Sequence, residues 1–588
     1  MMRLGIVALA CAVIGACGPR VSGTQDGGGD DGDGGVVIDA PHTLTSIEVT
    51  PTNPILELDL NTPGTQPFQA LGRFQDGVDE DVTSRVTWSL TNPAVGAMNG
   101  ATLEIPGFAS VGVQVSRVVA SLDDVEGQAQ ITVVTYRRSG TSQDFFFVLP
   151  YQDPAGPAMK PLDFGTQVPA LDVFFMMDTT GSMGGEINNL RSALTGTIAP
   201  GIQNAVPNSQ FGVGSFEDFP VGLFGNTQGT NCDGTTLQDH DQPFRVFQTM
   251  TSNIAAVQAA TSSLVVGAAP RGCGADWPES MIEGLYLAAT GQALTTPAPT
   301  NVPANTVGIG GVGFRAGTMP VIVSVSDAPS HAPGEGSTCQ PTSGPPLSLD
   351  YSGSVLTAAH TRAQAKAALG AICARSVGVA ALDPRGVGTC TAQRDLEDFA
   401  TATGARVPPS AWDVPARPAN CAAGQCCTDT NGAGRLPDAD GLCPLVFRTD
   451  GSGNGLGAHI VNGIRMLTRF AAFDVTSEKQ GVGTDVDGNA LPSPHTTADF
   501  IKQITPTGFM LPPAPPVVPN PTFDTTTFRN VTPGTRVQFD VRALNDFVPQ
   551  TQDAQIFRAT IRVLAGGCTA LDQREVLILV PPNPIVIQ

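Results

Sequence analysis

The sequence predicts a multidomain chain in which a doubly wound, Rossmann-like α/β domain is flanked by β-sandwich domains. Three observations carry this. Within residues 168–473, apolar runs alternate with stretches whose apolar residues recur at helical spacing, the pattern of strand–helix units around a parallel sheet. On either side, short alternating runs lie between turn signals. The composition, with 67 Gly, 49 Pro and only 14% charged residues, suits strands and long loops better than helical bundles. A length of 588 residues predicts three or four domains. A hydrophobic content of 41% excludes a wholly disordered chain, and no long apolar run outside the N-terminus fits a polytopic membrane protein. With 53 acidic against 31 basic residues, the net charge of −22 excludes nucleic acid as a partner and favours cations.

Residues 1–17 carry Arg3, an apolar stretch from Leu4 to Ala16, and then Cys17. The apolar stretch is too short to span a membrane and ends in the small residues of a cleavage site. Ile14-Gly15-Ala16-Cys17 resembles the lipobox of bacterial lipoproteins. That resemblance implies a signal peptide over 1–17, lipidation of Cys17, and a membrane partner reached through the lipid. Gly18 follows where an Asp would signal inner-membrane retention, so it implies a cell-envelope protein anchored at the outer membrane. Residues 18–42, rich in Gly and Asp, read as a solvated tether. Ten further Cys follow Cys17, an even number that reads as disulfides in an exported protein. The cluster Cys421, Cys426, Cys427 and Cys443 has no His at ligand spacing, which argues against zinc.

Residues 43–135 show strand-like runs at Ser46–Thr50, Gln66–Phe74, Val86–Leu90 and Gln128–Val134. Through Asp76-Gly77, Asp81-Val82-Thr83 and Val86-Thr87-Trp88 this stretch resembles bacterial Ig-like domains of group 2, which implies a spacer or adhesion module with Trp88 in its core. Residues 136–167 read as a connector, or as the first strand of a C-terminal β domain through Asp144–Leu149. The α/β domain, 168–473, has strand runs at Leu171–Met177, Phe211–Phe216, Pro320–Val325 and Val377–Leu382. Its helix candidates include Met281–Leu294, Val355–Ala374, Arg394–Gly404 and Gly457–Phe473. Residues 407–456 read as a Cys-rich insertion, and Asp438-Ala439-Asp440-Gly441 within it as a turn or a calcium loop. Residues 474–521 read as loop and Pro-rich connector, and 522–588 as a C-terminal β domain.

Chemistry concentrates after the first apolar strand, in Asp178-Thr179-Thr180-Gly181-Ser182. A carboxylate and two hydroxyls at alternate positions on a Gly turn can face one point. Open α/β sheets bind ligands beyond the carboxyl ends of their strands. A second strand, Pro320–Val325, ends in Ser326-Asp327. Two strands delivering Asp to one edge suit a hard divalent cation with oxygen ligands, and not zinc or copper. Asp178 and Ser182 also suit capping of a helix starting near Gly184.

Asp-x-Thr-x-Ser after an apolar strand resembles the metal-ion-dependent adhesion site of von Willebrand factor A domains. Three stretches resemble, more narrowly, the A-type domain of integrin β subunits. They are Phe211–Asp218, Asp276-Trp277-Pro278-Glu279, and Gly313-Phe314-Arg315 through Val325-Ser326-Asp327-Ala328-Pro329. The resemblance implies that Asp178, Thr180, Ser182, Glu279 and Asp327 hold a primary cation, Mg²⁺. It implies a neighbouring Ca²⁺ site from Asp218, Asp276 and the Pro278 carbonyl, with Glu279 shared. Gly274 stands where the family has an Asn ligand. Glu186 matches one acidic ligand of a third site, with Gly184 and Gly185 where its other polar groups fall.

The family's function implies binding of a protein ligand whose Asp or Glu carboxylate completes the coordination, and no enzymatic activity. Two other classes remain open. One is a structural envelope protein in which cations only stabilise the fold. The other is a serine hydrolase using Ser182 and His331, for which no G-x-S-x-G elbow is present.

Overall fold

The computed structural model describes residues 42–138, 144–225, 240–266, 274–336, 338–388, 390–514 and 518–583. Cys17, Cys232 and Cys273 lie outside them, as do the signal peptide and nearly all of the tether.

Residues 44–135 form a β unit of three small sheets. Leu44–Thr50 pairs with Gln69–Phe74, and the long hairpin Gly112–Leu122 with Val125–Thr135 carries the largest sheet. Alternate residues of these strands, such as Val118, Ala120, Ile131 and Val133, are fully buried in one core. Trp88 packs at its margin and donates its indole N–H to the Thr83 carbonyl (3.1 Å). Gly77 takes φ +81° in the turn after Phe74, a conformation that favours glycine.

The central unit is a six-stranded sheet with five helices of ten or more residues. In chain order these are β1 (Ala170–Asp178), α1 (Gly184–Ala193), β2 (Asn208–Phe216), β3 (Arg245–Thr251), α2 (Met281–Thr290), β4 (Met319–Ser326), α3 (Arg362–Ala371), β5 (Arg375–Ala381), α4 (Ala392–Ala402), β6 (Val446–Thr449) and α5 (Leu456–Phe470). The sheet order is β3-β2-β1-β4-β5-β6, and only the edge strand β3 runs antiparallel. Every residue of β1 after Ala170, and all of β4, is buried, as strands covered on both faces must be. β5 shows both covers directly. A Cβ on Gly378 would meet Leu396 of α4, whereas Val377, pointing the other way, meets Gly463 of α5.

Several elements differ from the sequence expectation for local reasons. α2 stops at Thr290 because Gly291 turns left-handed (φ +70°) and its N–H closes on Leu287. The single helix expected over 355–374 is two, Gly353–Ala358 and α3, because Thr361 and Gln364 form a capping box that starts a new helix. The Cys-rich insertion does not extend to 456, since its last residues include β6 and the loop leading to α5. β6 was hidden because it is only four residues long. Asp438–Gly441 is a turn, with Gly441 at φ +81° and Asp440 paired to Arg406.

The segment 474–521 is not mainly loop. Phe473–Gly481 and Ile501–Met510 are strands of the C-terminal β unit. Their signal is weak because the first is largely polar, and the second carries Pro506 and Gly508 at a register shift, where such residues are tolerated. Phe145–Val148 pairs in parallel with Val576–Leu579, and Ala158–Gly165 pairs antiparallel with Arg536–Ala543. The central unit is therefore inserted between strands of one β unit.

Eight cysteines form four disulfides: Cys339–Cys390, Cys373–Cys568, Cys421–Cys427 and Cys426–Cys443. Cys373–Cys568 ties the turn before β5 to the last hairpin of the C-terminal unit across 195 residues. Closing so long a loop restricts the unfolded chain, so replacing both cysteines by Ser is expected to cost about 2–4 kcal/mol. Denaturant unfolding of the double variant against the parent checks this.

Candidate metal centre

The site is built at the carboxyl edge of three adjacent strands. Asp178 ends β1, Asp218 follows β2 by two residues, and Asp327 follows β4 by one. Register places them together, with Asp178 opposite Phe216 and Met177 opposite Val325. Segment 274–280 is clamped onto this edge from two sides. The Glu279 N–H donates to the Pro329 carbonyl (2.9 Å), and the His331 N–H donates to the Glu279 carbonyl (2.8 Å). Ser280 gives its N–H (2.9 Å) and its hydroxyl (2.8 Å) to the Glu217 carbonyl. Beneath the clamp, the Ser330 N–H donates to Asp395 (2.7 Å), which is held by Arg362.

Asp178 is fully buried. Its Oδ1 accepts from the Thr180 N–H (2.9 Å) and hydroxyl (2.6 Å), and its Oδ2 from the Ser326 hydroxyl (2.8 Å). Ser182 is exposed at the mouth and hydrogen-bonds Asp327. Asp178 does not cap α1, whose N-cap position is Met183 with no side-chain cap. Glu279 Oε2 and Asp327 Oδ1 are buried with no hydrogen-bond partner, and among the described residues no ion pair reaches Asp178, Glu279 or Asp327.

Buried carboxylates without counter-charge resist ionisation. Burial, then the Asp327 charge, push Asp178 up to about 7. Burial, then Asp178 and Asp218, hold Glu279 well above the carboxylate range. Burial raises Asp327 as well, against the Ser182 hydrogen bond. An all-oxygen group with orphaned carboxylate atoms suits magnesium, so the primary set fits the cation expected there.

The second group departs from expectation. Asp218 and Asp276 come together, joined by His331, and one ligand atom from each lies within 4.8 Å of the others. His331 Nε2 stands 3.1 Å from Asp276 Oδ2 and 3.9 Å from Asp218 Oδ2. Pro278 is buried in the clamped segment. An imidazole nitrogen is a poor ligand for calcium, so this donor set does not fit the Ca²⁺ expected there. The sequence signal for His331 was its position four residues after Asp327, legible only once 274–280 is seen to pair with that segment. Gly274 is a fitted residue as well as a missing Asn. At φ +71°, a Cβ there would stand 2.8 Å from Glu279 Oε1 and 3.2 Å from Thr180 Cγ2.

Glu186 lies apart from both groups, in the first turn of α1. A Cβ on Gly453 would meet its backbone at 2.8 Å, and burial pushes its carboxyl up to about 7. The loop against it, 450–455, is organised by Asp450, which accepts from the Ser452 and Asn454 N–H groups (both 3.1 Å). Sequence reading assigned that loop to the insertion. His331 bonds Asp276 while Ser182 bonds Asp327, so the pair a hydrolase would need is engaged elsewhere.

No family model matches the chain. Over 93 residues it is 36% identical to Ice-binding protein 1 of Shewanella frigidimarina, a match covering 15% of this chain and only 10% of that curated relative. A von Willebrand factor type A structure from Catenulispora acidiphila is similar at 10% identity and TM-score 0.26, over 76% of each chain. The open conformation of the pilus adhesin SpaC from Lactobacillus rhamnosus GG is similar at 13% identity and TM-score 0.27, over 77% of this chain and 51% of that one. Neither TM-score reaches the level of a shared fold, and the architecture rests on strand order and pairing alone.

Proposed function

We propose that the central unit is a doubly wound, von Willebrand factor A-type domain of the integrin β kind, binding a protein ligand through a divalent cation at Asp178, Thr180, Ser182, Glu279 and Asp327. The observation that carries this reading is the set of buried, uncompensated carboxylates at the carboxyl edge of β1 and β4, with Glu279 Oε2 and Asp327 Oδ1 unpartnered. A bound magnesium would supply an open coordination position for a ligand Asp or Glu. Ser182, exposed beside Asp327, marks the side from which a ligand approaches. Ser326 and Thr180 fix the Asp178 carboxylate, and the clamp on 274–280 fixes Glu279.

The N-terminal β unit is read as an Ig-like spacer, and Cys17 as the lipid anchor to the outer membrane of the cell envelope. The four disulfides support an oxidising compartment. Among the described residues no helix is long and apolar enough to cross a membrane.

The test is capture of an immobilised library of Asp- and Glu-bearing peptides by the purified protein, in magnesium, in EDTA, and in EDTA followed by magnesium. Capture is expected only when magnesium is present, and equal capture in EDTA would sink the reading. The burial of these carboxylates favours a second reading, in which the cation only stabilises the fold. That reading predicts magnesium-dependent melting without peptide capture.

A further inference from the structure

We propose that Asp218, Asp276 and His331 form a second metal centre that takes a divalent cation accepting mixed nitrogen and oxygen ligands, zinc or manganese, in place of calcium. The proposal shares with the function above the premise that this sheet edge is built for cations, and does not depend on ligand capture.

Three features of the geometry support it. The ligand atoms are preformed within 4.8 Å of one another, a span that one ion can bridge. The Asp218 carboxylate is oriented as metal-bound carboxylates are. Its Oδ1 accepts from the Tyr351 hydroxyl (2.8 Å) and the Phe219 N–H (2.6 Å), leaving a fully buried Oδ2 with no hydrogen-bond partner on the side of His331 and Asp276. Asp276 shows the same division, with Oδ2 on His331 and a buried, unpartnered Oδ1.

His331 is 1% exposed and enclosed by Phe224 and Tyr351, whose ring centroids lie 5.2 and 4.8 Å away. One imidazole cannot offset two carboxylates, whereas a dication can. Imidazole selects ions of the zinc class over calcium and magnesium. An ion there would join the end of β2, segment 274–280 and the segment after β4, the three pieces that also frame Glu279.

The experiment uses the purified protein, stripped by chelation and titrated with cobalt(II) in excess magnesium. Cobalt is expected to bind with visible absorption bands and to be displaced by zinc but not by calcium. His331→Gln is expected to weaken cobalt binding at least about tenfold, the lower bound for losing even an outer-shell partner. Asp178→Asn should leave the cobalt affinity unchanged. No cobalt binding, displacement by calcium, or equal affinity in His331→Gln overturns the proposal. Should His331→Gln fail to fold, pulsed electron paramagnetic resonance of manganese bound to the unaltered protein decides. A nitrogen coupling from imidazole is expected, and its absence overturns the proposal. Loss of magnesium-dependent peptide capture would sink the proposed function and leave the cobalt titration untouched.

Discussion

Stripped of divalent cations, the protein is expected to melt at a lower temperature at pH 7.5 than at pH 5, and saturating magnesium is expected to remove most of that difference. The cause is the carboxyl group of Asp178, raised by burial and by Asp327 from an ordinary 3.8 to about 7. Glu186, raised by burial to about 7, adds in the same direction. A carboxyl with a raised folded pKa binds its proton more tightly in the folded chain. Its contribution is therefore fully present below the unfolded value near 4 and is lost as pH climbs through about 7. For Asp178 alone the span corresponds to about 4 kcal/mol. In a domain of this size that is a shift of roughly 8 °C or more. A cation replaces the proton as the source of compensating charge, so the slope should flatten with magnesium. Scanning calorimetry at several pH values, with EDTA and with magnesium, checks this. A cation-free melting temperature that rises from pH 5 to 7.5 would contradict it.

Asp178→Asn is expected to do two opposite things. In EDTA at pH 7.5 it should stabilise the protein by about 2–3 kcal/mol, because it removes a charge whose burial nothing offsets. Roughly 1 kcal/mol of the full gain is forfeited through altered hydrogen bonds. The amide can keep most of its partners, since its oxygen can still accept from Thr180 while its NH₂ faces the Ser326 hydroxyl, which can accept. In magnesium the same variant should show no thermal response to the cation, and no capture of acidic peptides. Thermal melts in both buffers, with the capture assay alongside, read the two effects separately. A variant destabilised in EDTA would mean that Asp178 is ionised and satisfied without metal.

Much of the central unit was legible in the sequence because buried parallel strands leave a signal that local context cannot blur. Leu171–Met177 is apolar on both faces, and Asp178-x-Thr180-x-Ser182 stands where such a strand must end. The Asp276–Glu279 loop and Ser326-Asp327 could be named for the same reason. The strands Phe473–Gly481 and Ile501–Met510 were not legible. Half-exposed strands of polar composition owe their conformation to partners far away in sequence, here Gln555–Ala565 and Arg536–Ala543. β6 was lost because four residues carry too little periodicity to separate from the loops around it.

The sequence by itself determined the strand runs of the central sheet, the acidic residues at their ends, and the expectation of an oxygen-rich cation site at Asp178 and Asp327. Those are properties of short stretches, set by period and residue type. Only the tertiary structure decided that 274–280 would be clamped between the ends of β2 and β4. With that clamp, His331 comes to stand between Asp218 and Asp276, and Glu279 between the two acidic groups. It also decided that strands on either side of the central unit belong to one sheet. These arrangements depend on pairings across tens to hundreds of residues, and it is register between strands, invisible in any local window, that sets which side chains meet.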